Sequence, residues 1–274
     1  MVVRKESVKM NEIQKRVNEH FEEARGHFAD DRILGIFLQG SQNYGLDVPG
    51  SDVDTKLIVV PSLKEIAMNS KPVSTTHIRA NEEHIDFKDV RLYIDTFRKQ
   101  NLNFLEILFT NYFVVNPIYA KEWNRLLEHR EEISHYNPFR AMKTMKGIAM
   151  EKYYAMEHPY PSKMDILAKY GYDPKQLHHL ERVDLYMQMY EAGCSMADCI
   201  MMPMAERNYL RDIKLNPPSL EDARRRAEKT IKHCVEFADA YCEKVEDKCD
   251  PIVEELFNDV RYEIIKTAIK EELK

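Results

Sequence analysis

One stretch of the chain constrains its fold more than any other: residues 38–54, where an apolar run leads into a Gly-Ser turn and then into two aspartates one residue apart. The apolar run over residues 33–38 has the length and content of a buried strand. Residues 52–60 alternate and then become fully apolar, which predicts a second strand that begins at the aspartates. Side chains two apart on a strand point to the same face, so Asp52 and Asp54 converge on one point.

These two carboxylates indicate a site for a hard divalent cation. Unpaired carboxylates at one point repel each other unless a cation lies between them, and their oxygens are ligands that Mg²⁺ or Mn²⁺ prefers. Gly40 lets the backbone approach a ligand closely, and Ser41 can begin a helix whose N–H groups and hydroxyl face an anion. A phosphate-binding turn beside a pair of metal-binding carboxylates is typical of enzymes that catalyse phosphoryl transfer from a nucleoside triphosphate. An ordinary turn capped by the aspartates is the alternative, and the flanking apolar strands argue against it.

The same residues resemble a known signature. Gly40-Ser41 followed by Asp52-Val53-Asp54 is similar to that of the DNA polymerase beta nucleotidyltransferase superfamily. The fuller pattern is similar to a branch of predicted nucleotidyltransferases linked to RNA repair, and its residues here are Gly40, Ser41, Tyr44, Gly45, Leu46, Ser51, Asp52 and Asp54. The resemblance covers residues 30–110 and identifies the superfamily better than the substrate. It implies an α+β fold, with a small mixed-sheet nucleotidyltransferase (polymerase beta-like) core that has helices on one side of the sheet.

The resemblance also implies an activity. An enzyme of this kind moves a nucleoside monophosphate from an NTP to an acceptor hydroxyl and releases pyrophosphate, using two Mg²⁺ (or Mn²⁺) ions. The branch favours an RNA 3′ end as the acceptor. A protein hydroxyl, as in AMPylating transferases of toxin–antitoxin type, is an alternative partner. A catalytically inactive nucleotide-binding regulator and an interaction protein with a vestigial enzyme domain are two further alternatives. A pure binder has no need of convergent acids, which argues against the regulator.

Residue roles follow from the resemblance in the same way. Gly40 and Ser41 would hold the β- and γ-phosphates, and Asp52 and Asp54 would bridge the two metal ions. The superfamily uses a third carboxylate on a neighbouring strand, and Asp86 matches its apolar–acid–apolar pattern. There it would complete the metal on the acceptor side and help to deprotonate the hydroxyl.

Other acids compete for that third position. Asp89 lies three residues on, where the chain is turning into a helix, and Glu82 and Glu83 are weaker candidates. Glu106 follows an Asn-rich turn that resembles one in the same branch. An ordinary place in the first turn of a helix explains Glu106 equally well.

A second cluster predicts a helix with Asp173 as its N-cap. Lys175, His179 and Arg182 fall at i, i+4 and i+7 on one face of that helix, and this stripe can contact a triphosphate or an RNA backbone. The segment resembles a helix of the same branch, although Gln176 stands where the branch has a histidine. A solvated face, neutralised by acids of the same helix, is the alternative.

The rest of the chain predicts a division into two domains: a nucleotidyltransferase core over residues 1–120 and an all-helical C-terminal domain over residues 121–274. Within the core, periodicity predicts helices over 8–29, 62–68, 90–97 and 104–109 and a third strand over 84–87. Beyond it, prolines separate helical segments, of which the last two span 220–248 and 252–272. The run Arg224-Arg225-Arg226 predicts a charged helix face, with RNA binding through it as the lesser alternative.

Composition limits the partners and the compartment. A net charge of −6 argues against non-specific coating of nucleic acid but leaves room for a local basic groove. The five cysteines, odd in number, indicate reduced core thiols rather than a disulfide framework. No apolar run approaches the roughly 20 residues that span a bilayer, and the N-terminal segment lacks the apolar stretch of a signal peptide. We therefore expect a cytoplasmic protein with no membrane partner.

Overall fold

A computed structural model describes residues 2–274, with side chains from residue 12 onward. Val8, which the sequence places on the apolar face of the first helix, lies outside the described side chains. The fold is mixed α+β and 63% helical, with one five-stranded mixed sheet. The predicted α+β class is therefore confirmed. Among the described residues, no helix combines the length and the apolar character that crossing a membrane requires.

The sheet has the strand order β3-β4-β2-β1-β5. Its strands are β1 (Ile33–Gln39), β2 (Asp54–Val59), β3 (Ser74–Ile78), β4 (His84–Asp89) and β5 (Phe113–Val115). β1 pairs antiparallel with β2 and with β5, β2 pairs parallel with β4, and β3 and β4 form an antiparallel pair. The parallel pairing of β2 with β4 brings the two predicted acidic strands side by side.

Helices make up the rest of the described chain, apart from turns and short 3₁₀ segments. They are α1 (Val2–Ala24), α2 (Leu63–Ala67), α3 (Val90–Arg98), α4 (Leu102–Leu105), α5 (Ala120–Glu128), α6 (Arg130–Ser134), α7 (Pro138–Ala155), α8 (Met164–Tyr170), α9 (Pro174–Glu191), α10 (Met196–Met201), α11 (Met204–Leu215), α12 (Leu220–Cys242) and α13 (Pro251–Glu272). The predicted cap of α9 is present, since Asp173 accepts a hydrogen bond from the N–H of Lys175. On α2, Ser62 and Glu65 form a capping box.

Helices cover both faces of the sheet, so the implied arrangement with helices on one side is wrong. On one face, Ile36 and Leu57 pack in a core with α1. On the other, Phe37 and Ile58 pack in a core with α3, α5 and α13, which includes Phe257. The single-sided expectation fails because the central strands are apolar on both faces, and each face needs a covering layer.

A third core lies among α7, α9, α11 and α12 and extends to the loop after β1, since Tyr44 and Leu46 are part of it. This contact holds the predicted phosphate-binding turn against the helical half of the chain. The core beneath α13 contains residues from before and after residue 120, so the predicted domain boundary would divide this core. The division into two domains at that residue stays a prediction.

Candidate active site

A cleft of about 560 Å³ lies between the end of the sheet and the helices α7, α9 and α11. Seven of the eight predicted site residues line it: Gly40, Ser41, Asp52, Asp54, Lys175, His179 and Arg182. Asp86 is the exception, although it is hydrogen-bonded to two lining residues, Gln39 and Lys56. The structure thus brings together residues from two distant parts of the chain.

The turn after β1 is tight. Gly40 has φ of 83°, a left-handed conformation in which an L side chain is strained. Ser41 begins a 3₁₀ segment, Ser41–Asn43, rather than a longer helix. The N–H of Leu46 donates back to the carbonyl of Ser41 at 3.0 Å and closes the turn. Gly40 and Ser41 are called the Gly-Ser turn below. Gly40 presents main chain to the cleft without a covering side chain, and Ser41 lines the cleft beside it.

Asp52 and Asp54 are called the acid pair below. Asp54 is the first residue of β2, whereas Asp52 lies two residues before it, so the strand starts later than the sequence predicts. Asp52 is exposed, and within residues 12–274 its carboxylate has no ion pair or hydrogen bond. Asp54 is half-buried and accepts a hydrogen bond from the N–H of His84 at 3.0 Å. Between them, Val53 is buried, and its N–H donates to the buried carboxylate of Glu83 at 2.9 Å. Glu83 and His84 thus fix the main chain at the acid pair, and Asp52 stays open to the cleft.

Of the two leading candidates for the third acid, Asp86 lies on the same sheet face as Asp54. It sits opposite Lys56 in the parallel register of β2 and β4. Asp89 faces the other way, is 2% exposed, caps α3 and binds Arg91 at 2.7 Å. Asp89 therefore has a structural place that accounts for its charge.

Asp86 is not a free carboxylate. It accepts hydrogen bonds from Thr76 Oγ1 at 2.7 Å, Gln39 Nε2 at 3.1 Å and Lys56 Nζ at 3.3 Å. Burial alone would raise the pKa of Asp86, but the Lys56 charge and these hydrogen bonds outweigh it and leave the pKa lowered. The carboxyl is consequently ionised at neutral pH.

Sequence reasoning missed Lys56, which lines the cleft although it is only 5% exposed. Its ammonium lies 4.4 Å from the centroid of the Phe104 ring, a cation–π contact, as well as beside Asp86. The signal that could have found it is its place two residues after Asp54, which puts both side chains on the same face of the strand.

The α9 stripe lines the cleft, but its three members differ in charge. Lys175 is exposed. Burial lowers the pKa of His179 well below its ordinary value, so this imidazole is neutral at pH 7. Arg182 is 6% exposed, and its guanidinium lies 4.4 Å above the Tyr44 ring. The stripe therefore carries two positive charges, one open to the cleft and one packed against the loop after β1.

A buried chain of contacts connects Arg182 to the Gly-Ser turn. Tyr44 Oη donates to Glu106 at 2.9 Å, and the N–H of Gly40 donates to the same carboxylate at 3.4 Å. Burial raises the pKa of Glu106, while the charges of Arg182 and Lys56 act in the opposite direction. Glu106 thus contacts the Gly-Ser turn and the loop after it, in addition to its place at the start of a helical turn.

The acids of α9 do not neutralise its stripe. Glu181 binds Arg226 at 2.8 Å and accepts a hydrogen bond from Tyr209 at 2.6 Å. Asp184 pairs with His233 of α12 at 2.5 Å. Both acids are bound to groups of α11 and α12, so the solvated-face alternative does not describe this helix.

Two further lysines line the cleft, Lys152 of α7 and Lys214 of α11. Lys214 Nζ donates to the carbonyl of Leu46. Burial, followed by the charge of Lys175, lowers the pKa of Lys214 to about 8. We call Lys152, Lys175, Arg182 and Lys214 the cationic wall. The two added lysines have no local sequence signal, because only the packing of three separate helices brings them together.

The donor set fits a divalent cation at the acid pair. Within the described residues, no three His, Cys, Asp or Glu side chains form a ready metal site. Mg²⁺ is commonly bound by one or two carboxylates together with substrate phosphates. The open carboxylate of Asp52 beside Asp54 suits that mode, whereas the three donors around Asp86 compete with a second ion.

Comparison with protein-family models finds no match, and no curated protein matches the chain significantly. The chemistry of the cleft is therefore the basis on which a function can be inferred.

Proposed function

We propose that the protein is a metal-dependent nucleotidyltransferase of the polymerase beta type, which transfers a nucleoside monophosphate from an NTP to an acceptor hydroxyl. One observation carries this proposal: the acid pair, the Gly-Ser turn and the cationic wall line a single cleft. Acids alone would repel a triphosphate, and cations alone would not distinguish it from other anions. Both together suit a triphosphate that arrives with its cation.

In the proposed reaction, the acceptor oxygen forms a bond to the α-phosphorus, the bond to the bridging oxygen breaks, and pyrophosphate leaves. A cation held by Asp52 and Asp54 supplies charge neutralisation when bound. The Gly-Ser turn lets the β- and γ-phosphates approach the main chain, and the cationic wall binds their remaining charge. The proton of the acceptor hydroxyl passes to the carboxylate of Asp86, which Lys56 keeps ionised.

Asp86 is also the proposed third ligand, on the acceptor side, for the second ion. Its hydrogen bonds to Lys56 and Thr76 make that the weaker of the two proposed sites. We propose an RNA 3′ end as the acceptor, which the branch resemblance favours; the structural grounds for a nucleic-acid strand are given in the next subsection.

Incubation of the protein with each labelled NTP, Mg²⁺, total RNA and a cell lysate tests the proposal. We expect label in RNA, lost in Asp52→Asn and retained in Asp165→Asn, since Asp165 is an exposed aspartate on α8, outside the cleft. Label in protein would show that the acceptor is a protein hydroxyl and would leave the proposed nucleotidyl transfer intact. No transfer, with no Mg²⁺-dependent binding of any NTP, would refute the function.

A further inference from the structure

A second row of positive charge lies on α11. Arg207, Arg211 and Lys214 fall at i, i+4 and i+7, on one side of the helix and along about 10 Å of its axis. Lys214 is the end of this row that lines the cleft. Arg207 lies against the loop after the Gly-Ser turn, because a methyl group built on Gly45 would be 2.9 Å from its Nη1. We call these three residues the α11 stripe; it leads out of the cleft past that loop.

Two members of the α11 stripe have no protein partner. Of the arginines within residues 12–274, only Arg207 and Arg211 form no ion pair, no side-chain hydrogen bond and no aromatic contact. Both side chains are half-buried, and the Nε atom of each is buried without a hydrogen-bond partner.

An unpaired, partly buried guanidinium is costly, because desolvation weakens its charge–water interactions and no acid replaces them. The chain has more acidic than basic residues, with a net charge of −6, so acids that could have paired with these arginines are in excess. On α12, by contrast, the predicted Arg224–Arg226 face is fully paired, with Glu157, Asp222 and Glu181. The arginines of α11 are therefore the ones left available for an anion from outside the chain.

We propose that the α11 stripe binds the phosphodiester backbone of a single-stranded nucleic acid and leads its 3′ end into the cleft. This inference rests on the proposed function and specifies its acceptor. A repeating row of cations matches a repeating anion. Arg207 and Arg211 do not line the cleft, so they lie beyond the groups that would hold an NTP. A protein acceptor would present no regular row of charges to them.

The test uses the full chain and a fluorescent single-stranded oligoribonucleotide, with anisotropy titrations at several salt concentrations. Three phosphate contacts predict a slope of log K against log salt of about −2. The double variant Arg207→Gln/Arg211→Gln should weaken binding at least about tenfold and reduce the slope by about 1.4. An oligodeoxyribonucleotide of the same sequence shows whether the stripe distinguishes RNA from DNA; equal binding supports recognition of the backbone alone.

The matched control is Arg224→Gln/Arg225→Gln, which removes the same charge from α12 and should leave the affinity within about twofold. Equal losses in the two double variants would overturn the inference, since binding would then follow net charge. The variant Arg207→Lys/Arg211→Lys keeps the charges and should keep the salt slope; loss of the slope there also counts against the proposal. Because Gln removes unpaired charge, the melting temperature of the first variant should not fall.

Titration of Mg²⁺·ATP against the wild type separates the two proposals. A protein that binds Mg²⁺·ATP but no oligonucleotide overturns the acceptor inference and leaves the nucleotidyltransferase proposal intact. A protein that binds neither the oligonucleotide nor any Mg²⁺·NTP overturns both proposals. Transfer of label to protein, with no oligonucleotide affinity, also overturns the inference and selects the alternative acceptor.

Discussion

The two aspartates of the acid pair differ in how firmly the chain holds them. Asp54 accepts a main-chain hydrogen bond from His84, whereas Asp52 stands open to the cleft. We expect Asp52→Asn and Asp54→Asn each to lower turnover by about 10³-fold or more, because both remove charge that we propose holds the metal. Removing one of two like charges relieves repulsion, so neither variant should melt earlier without metal. Melting curves with and without Mg²⁺·NTP measure both effects.

Asp165→Asn is the control for the acid pair. It should leave turnover and the Mg²⁺·NTP-dependent rise in melting temperature unchanged. Equal binding of NTP by the wild type in the presence of a chelator would contradict a metal role for the pair.

The third acid gives a second prediction at this scale. Asp86→Asn should lower kcat far more than it weakens NTP binding, because its proposed role belongs to the transfer step. Asp89→Ala should leave kcat unchanged but lower the free energy of unfolding by about 1–2 kcal/mol, since it removes the N-cap of α3. Steady-state kinetics and chemical denaturation of both variants provide the comparison. If kcat fell in Asp89→Ala and not in Asp86→Asn, Asp89 rather than Asp86 would be the third acid.

Lys214 predicts a pH dependence. Its pKa is lowered to about 8, so its positive charge is present below that pH and lost above it. NTP affinity should therefore fall by up to about tenfold as the pH rises through that value. Lys214→Arg should remove this dependence, because arginine stays protonated. Titrations on either side of pH 8 test it; a wild-type profile that is flat there would exclude Lys214 from phosphate binding.

Some residues of the candidate site could be predicted from the sequence, and others could not. The Gly-Ser turn and the acid pair could be predicted because a turn and one strand bring them together within a short segment. Lys214 could not, since it reaches the cleft through the packing of a helix that is distant in sequence. The buried contacts of Lys56 and Glu106 also depend on tertiary packing. The neutrality of His179 was also beyond prediction, because it depends on burial.

Among the elements, α9 has one side that lines the cleft and another that packs against α11 and α12. Lys175 faces the cleft, whereas Glu181 binds Arg226 and Tyr209 on the other side. Lys175→Ala should weaken NTP binding roughly 5- to 50-fold without loss of stability. Glu181→Gln should leave binding unchanged but lower the free energy of unfolding by about 2 kcal/mol, because it leaves Arg226 without its acid.

Isothermal titration and denaturation of the two variants separate the two sides. Lys232→Ala, at a surface lysine of α12, is the control for a lost lysine charge and should change neither quantity. Equal NTP affinities for Lys175→Ala and Lys232→Ala would remove α9 from the site.

The elements themselves were predicted where their periodicity is strong. β1, β2, β4, α3, α9 and α13 were found within a few residues. β3 was missed because its side chains are mostly exposed, so it has no apolar face to reveal it, and β5 is only three residues long. α1 ends at Ala24 rather than at residue 29, since Gly26 follows directly in a turn.

At the scale of the whole molecule, α13, the last helix of the described chain, packs against the N-terminal sheet. It packs with α3 and α5 against the sheet face that carries Phe37 and Ile58. A fragment of residues 1–120 would lack Trp123 and Phe257 from that core, so we expect it not to fold on its own. Dye binding and the absence of a cooperative melt would show this. A fragment with a sharp melting transition would instead establish residue 120 as a domain boundary.

The position of α13 also bears on how the protein is made. The strand that begins at Asp54 emerges from the ribosome early, but α13, which covers one face of the sheet together with α3 and α5, emerges last among the described elements. At about 5–20 residues per second, roughly 10–40 s separate β2 from α13. During that interval the part of the apolar face that α13 covers is exposed, so a nascent chain needs shielding there by chaperones or by its own helices. A premature stop before α13 should therefore yield aggregated protein rather than a shorter folded protein.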